Sequence, residues 1–309
     1  MKLKVVILST ASIAVLAAAF TFVPVTLALP PAQVGSLPPA TPPAGMSIYA
    51  LPTGEYEARA SLAFRGGPWS EVRRFASTAV LITHPKGNVL IDAGFGRRVD
   101  EHMRLIPALQ RSPHKALVAV ADQLRAASIP INKIAAIIPT HVHWDHISGI
   151  DDLPDVPVLV TAAGKRSIDL GVVGTEVIKS FRNIKYQLYA FEDGEYLGFP
   201  SSHDVWGDGS IVIVPAPGHT SDSVVVFVAL PSGVRYALIG DLVWQSEGFN
   251  LPAEKPWMLR RLIGENDQAV HMDIARLRAA VQKYPQIKVI PAHDMSATSS
   301  LPGLLNTLQ

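Results

Sequence analysis

The 309-residue chain contains no cysteine. That absence removes a disulfide framework and a lipid-carrying cysteine, and it leaves any metal to histidine, aspartate, glutamate or water. Charge is sparse as well: 17% of residues are Asp, Glu, Lys or Arg, and the formal net charge is +1. Without a basic excess, nothing in the composition favours a nucleic-acid partner. No linker divides the middle of the chain and no internal repeat is evident, so one large domain with a substantial core is expected.

Part of the apolar bias lies at the amino terminus. Lys2 and Lys4 give a positive start, Val5 to Val23 carries no charge, and Thr26-Leu27-Ala28 offers a small-x-small cleavage pattern. Residues 1–28 are expected to be a signal peptide directing export to the periplasm or the medium; the length of the apolar run leaves an uncleaved anchor as the alternative. A membrane partner is expected only in that second case. Residues 29–45, rich in proline, read as an extended spacer, and residues 46–309 as the folded domain.

Strand patterns cover 77–83 and 88–92 around the turn His84-Pro85-Lys86-Gly87, then 134–138, 156–160, 184–191, 210–214, 223–230, 234–239 and 287–290. Helical spacing predicts helices over 101–110, 114–127, 163–181 and 265–284. Strands in adjacent pairs suit antiparallel sheet, and helices between groups of strands suit two packed sheets with helices outside, an α/β (α+β) class.

What stands out is His141-Val142-His143-Trp144-Asp145-His146, directly after the apolar run Ile134–Ile138. Three imidazoles and a carboxylate on one loop are zinc-type ligands, and a strand in front holds such a loop rigid. Three further fragments run from an apolar strand into a short loop: 211–220 ending at His219-Thr220, 236–241 ending at Gly240-Asp241, and 287–294 ending at His293-Asp294. Each is weak alone, because a buried histidine more often satisfies a carbonyl and an aspartate after glycine reads as a turn residue.

Together and in this order, these motifs closely resemble the metallo-β-lactamase superfamily of hydrolases, from about Ser77 to Asp294. The resemblance implies a single-domain, four-layer αβ/βα sandwich with two zinc ions, or another divalent metal, at one edge between the sheets. It implies that His141, His143 and His219 hold the first metal. Asp145, His146 and His293 would hold the second, with Asp241 bridging both. A metal-bound hydroxide would attack a carbonyl or phosphoryl centre, and Asp145 would return a proton to the leaving group.

Within the superfamily, the acidic Asp241 disfavours true β-lactamases, and the short tail after His293 disfavours glyoxalase-II-like thioesterases. N-acyl homoserine lactonases and related lactone or ester hydrolases match best, with a small-molecule substrate. Many of them carry a tyrosine three residues after the bridging acid, where this chain has Trp244. Phosphodiester or phosphotriester hydrolysis is the alternative on the same metals, ahead of β-lactamase, thioesterase or iron oxidoreductase activity.

Other residues carry weaker signals. Asp92 reads equally as a partner orienting a metal-ligand imidazole and as a strand-end turn acid. Thr140 and Thr220 flank ligands, yet threonine there more often satisfies local backbone. His84, His102, His114, His203 and His271 read as surface or structural. Trp144 and Trp244 suggest an apolar wall beside the metals, whereas Trp69, Trp206 and Trp257 read as core. Residues 64–75 and 244–258 are candidate pocket-shaping loops.

Overall fold

The computed structural model describes residues 20–304. The expected signal or anchor segment therefore lies, for residues 1–19, outside the described residues. Seven strands form one sheet: β1 (Ser47–Arg59), β2 (Val72–Thr83), β3 (Asn88–Ile91), β4 (His114–Ala116), β5 (Ile134–Ile138), β6 (Val158–Thr161) and β7 (Tyr186–Tyr189). Its order is β4-β1-β2-β3-β5-β6-β7. Five more make the second: β8 (His203–Asp204), β9 (Ile211–Pro215), β10 (Val224–Ala229), β11 (Arg235–Leu238) and β12 (Ile287–Ile290), in the order β12-β11-β10-β9-β8.

Period-two alternation explains why the sheets stack. In β9, Ile211 and Ile213 face the other sheet while Val212 and Val214 face outward; in β10, Val224, Val226 and Val228 alternate in the same way with Val225 and Phe227. The inward set meets Ile48, Val80, Ile82, Val89, Ile91 and Ile138 of the seven-stranded sheet. Both faces of each central strand are thus buried, and helices must cover the outer faces. Helix Asp267–Lys283 does so on the five-stranded sheet: Asn266 caps it by accepting from the Ala269 amide, and Val270, Ile274, Leu277 and Ala280 form its buried stripe. On the other side, Met103, Val120, Leu124, Ile168 and Val177 cover Leu81, Leu90, Ile137 and Val158. The result is the four-layer, helix–sheet–sheet–helix arrangement expected.

Several sequence expectations are corrected. The sheets are mixed: β3, β5, β6 and β7 run parallel, as do β11 and β12. The helix expected over 114–127 forms only at Val120–Ala126, because His114–Ala116 pairs with the open edge of β1 at Gly54–Tyr56. Pairing that edge outweighs local helical spacing. The helix expected over 163–181 divides into Ala162–Leu170 and Glu176–Ser180 at left-handed Gly171, and the one over 101–110 ends at Leu105, ahead of Pro107. The thirteen-residue β1 escaped notice in the sequence.

Residues 29–45 form no helix or strand, but they lie along the domain. Leu29, Val34 and Leu37 pack on the outer core of the five-stranded sheet, and Lys283 and Tyr284 donate to the Gly35 carbonyl.

Candidate metal centre

The strand-end loops meet at one edge of the sandwich. Asp92 follows β3, the histidine-rich loop follows β5, and His219, Asp241 and His293 follow β9, β11 and β12. Gly240 lets two of these loops approach: its φ is +51°, and a Cβ there would lie 2.9 Å from the Thr140 side chain. Gly174, with φ +94°, leaves room for the His143 ring, which a Cβ would meet at 2.7 Å.

All seven side chains singled out in the sequence converge. Three groups have ligand atoms within 4.8 Å of one another: His141, His143 and His219; Asp145, His146 and His293; and His141, His146 and Asp241. Asp241 stands between the first two, with Oδ2 3.5 Å from His219 Nε2 and Oδ1 3.2 Å from His146 Nε2 and 3.0 Å from His293 Nε2. His141, His219 and His293 are each 1% exposed, so water does not satisfy these groups from bulk.

Whether the donors fit a metal follows from where their protons are. His146 Nδ1 faces Asp92 Oδ2 at 2.9 Å, His219 Nδ1 faces Glu265 Oε2 at 3.1 Å, and His293 Nδ1 faces the Ala76 carbonyl at 2.8 Å. Each acceptor holds the proton on Nδ1 and turns the Nε2 lone pair inward. There His146 Nε2 and His293 Nε2 stand 3.3 Å apart, and His143 Nδ1 lies 3.0 Å from His141 Nε2 and 3.1 Å from His219 Nε2. Facing lone pairs at that range require something positive between them. Tetrahedral zinc with Zn–N bonds of about 2.0–2.1 Å spaces its ligand nitrogens by about 3.3 Å. Asp241 Oδ1, buried 3.2 Å from His146 Nε2 and 3.0 Å from His293 Nε2, adds an anionic oxygen to the set. The residues present fit a metal pair.

Electrostatics agree. Burial, with neighbouring imidazoles, holds His141 and His143 well below the ordinary histidine pKa. For His146, burial is outweighed by the carboxylates of Asp92, Asp241 and Asp145, which hold its pKa well above that range. Burial would also raise Asp241, but His293 and His146 outweigh it and keep the carboxylate ionised. Metal binding to such a set is coupled to release of protons from its ligands.

Partners behind these groups divide into those legible in sequence and those not. Asp92 takes the orienting role: it accepts from the Thr140 amide at 2.6 Å and from Thr140 Oγ1 as well as facing His146. Thr220 bonds locally, to Ser223 and Asp222. Glu265 was missed; it reads as an ordinary acid before a helix. Lys255 was missed too, although its buried ammonium donates to Glu265 Oε2 and to the Asp241 carbonyl, both at 2.7 Å, and sits over the Trp244 ring. Glu265 has a pKa of about 2: burial alone would raise it, but the Lys255 ammonium and the hydrogen bond from His219 prevail. A lysine and a glutamate ten residues apart give no sequence signal for this contact.

The centre opens into a cavity of about 250 Å³. Trp144 and Trp244 line it as expected, with Tyr56, Phe75, Leu62, Leu109, Val173, Leu259, Leu262 and Ile263. The loop expected over 64–75 does not cover it; only Phe75, already within β2, reaches the wall. From the 244–258 stretch, only Trp244 lines the cavity, and helix Trp257–Ile263 supplies the neighbouring wall. Trp206 packs against the inter-sheet core, but Trp69 and Trp257 are more than half exposed, contrary to expectation. Of the other histidines, His84 and His102 are buried, against Asp208 and Ser148, and His114 and His271 pair with Asp100 and Glu254.

A model of the metallo-beta-lactamase superfamily matches residues 72–289. The chain belongs to this superfamily. Its curated relatives include a probable metallo-hydrolase of Mycobacterium bovis, 26% identical over 70% of this chain and 73% of the relative. Another is an N-acyl homoserine lactonase of Rhizobium radiobacter, 23% identical over 70% of this chain and 81% of that one. Among solved structures, an N-acyl homoserine lactone hydrolase with N-hexanoyl-L-homoserine at its catalytic metal centre superposes with a TM-score of 0.64. That match covers 83% of this chain and 96% of the other at 17% identity, and so concerns the fold. The chain is accordingly a metallo-hydrolase of the superfamily, with lactonases among its structural neighbours.

Proposed function

We propose that this metallo-hydrolase is dinuclear and acts on neutral, apolar lactones or carboxylic esters. The observation that carries the reading is a seven-residue ligand cluster at the base of a cavity whose wall, among the described residues, holds no lysine or arginine. A substrate that keeps a negative charge, such as a phosphodiester, would find no cation on that wall beyond the metals. A neutral substrate with an acyl chain or aromatic group buries its apolar part against Leu62, Leu109, Leu259 and the two tryptophans at roughly 25 cal/mol per Å².

In this reading His141, His143 and His219 would hold one metal and Asp145, His146 and His293 the other, with Asp241 standing between the two groups. Bound there, zinc ions supply Lewis acidity, which polarises a carbonyl oxygen and acidifies water. The chain's own groups do the rest. Asp92, Glu265 and the Ala76 carbonyl fix the orientation of three imidazoles. Apolar walls exclude bulk water and align the scissile bond. Asp145, which lines the cavity, would take the proton released by the attacking water and return it to the departing alkoxide. Export is part of the proposal, on the strength of Lys2, Lys4 and the uncharged stretch after them.

Zinc-loaded protein, assayed against a γ-lactone, an aryl ester, an aryl phosphotriester and an aryl phosphodiester, tests the reading. Turnover of the first two that a chelator abolishes is expected, with about two zinc ions per chain. Preference for the phosphodiester would overturn it. A neutral phosphotriester suits the same wall, so preference for that substrate would favour phosphotriester hydrolysis on the same metals instead. Amino-terminal sequencing of the protein recovered from its native host tests export: a mature chain beginning near Leu29 is expected.

A further inference from the structure

Tyr56 lies on β1, outside the stretch that the family model matches, and nothing in the sequence singles it out. Its ring is clamped: it stacks on Phe75 at 5.2 Å, meets the His293 edge at 5.5 Å and leans on Trp144 at 6.2 Å. The phenol oxygen is thereby delivered to the metal cluster, 3.3 Å from Asp145 Oδ2. Of the two hydroxyl side chains on the cavity wall, Tyr56 and Ser112, it is the one that bonds to a member of the cluster. The neighbouring indole is already engaged: Trp244 Nε1 donates to Asp241 Oδ2 at 2.8 Å.

We infer that Tyr56 is a catalytic residue that donates its phenolic hydrogen bond to the substrate oxygen on which negative charge develops. The inference rests on the hydrolase reading above. A clamped ring leaves the hydroxyl one free motion, rotation about its C–O bond, so it can turn from Asp145 to a ligand without moving heavy atoms. Such a donor costs no reorganisation during reaction. No proton changes hands at Tyr56; the hydrogen bond strengthens as the carbonyl becomes tetrahedral. Trp244 in turn holds Asp241, so two aromatic donors divide the work of orienting the acid and meeting the substrate.

The test is Tyr56→Phe in the full-length, zinc-loaded protein, which keeps the ring and loses only the hydroxyl. With 4-nitrophenyl butyrate and a γ-lactone, kcat should fall about a hundredfold while KM changes less than about threefold. Zinc content and Tm should match wild type, which a merely structural role would not allow together with the kcat loss. A kcat within twofold of wild type would overturn the inference, as would a loss that tracks lost zinc. Hexylphosphonate, a tetrahedral oxyanion, gives a second readout by calorimetry. If wild type hydrolyses neither substrate, the lactone-or-ester reading fails and this binding decides alone: at least fivefold weaker binding by Tyr56→Phe upholds the donor role. Equal binding by both proteins, or none by wild type, rejects it.

Discussion

The seven-stranded sheet delivers four converging side chains on one six-residue loop, whereas the five-stranded sheet delivers His219, Asp241 and His293 from three loops separated by whole elements. The first half is nearly self-contained. Its support, Asp92, comes from the adjacent parallel strand β3 and bonds both Thr140 and His146. The second half depends on distant parts: Glu265 and Lys255 lie ahead of helix 267–283, and the Ala76 carbonyl that orients His293 belongs to the other sheet. A local cluster is set by one loop's conformation; a dispersed one is set by the packing of two sheets.

The largest expected effect comes from the side chain that joins the halves. Asp241→Asn should lower kcat/KM by more than about a thousandfold, roughly 4 kcal/mol of transition-state stabilisation, with circular dichroism unchanged. Near-normal turnover would mean the halves work independently.

Removing the supports sharpens the contrast. Asp92→Ala and Glu265→Ala should each weaken zinc binding by about 10- to 100-fold, measured by competition with a chelating dye. On the two-metal reading, Asp92→Ala should act on the metal that His146 would hold, and Glu265→Ala on the one that His219 would hold. Glu265→Ala should also lower Tm more, because it leaves the Lys255 ammonium buried and unpaired at 3% exposure. Equal Tm losses would count against a dispersed second half.

The outer face of the five-stranded sheet offers a smaller lever. Burial, opposed by Arg276, raises the Asp273 pKa to about 6. The folded state then keeps its proton where the unfolded chain has lost it, so stability falls as pH rises from about 4 to about 6 and stays reduced above. Asp273→Asn should lack that decline and gain at most about 3 kcal/mol at neutral pH, read from chemical denaturation at pH 4 and pH 7. Smallest of all, Leu37→Ala on the segment lying over this sheet should cost about 1–2 kcal/mol, seen as a modest drop in Tm.

The order of motifs in the chain determined the family, the sandwich and the seven converging side chains, because strand-end loops carrying His and Asp are local patterns that survive in one dimension. The apolar runs Ile211–Pro215 and Val224–Ala229 were legible as strands, and both of their faces are buried. Only the tertiary structure decided that β1 and β4 pair at an edge, that Glu265 and Lys255 stand behind His219, and that Tyr56 reaches Asp145 across 89 positions of chain. Those contacts join residues whose neighbours in sequence carry no pattern. They exist because burying the faces of two sheets leaves their strand ends at one edge, where the polar groups must find partners or a cation.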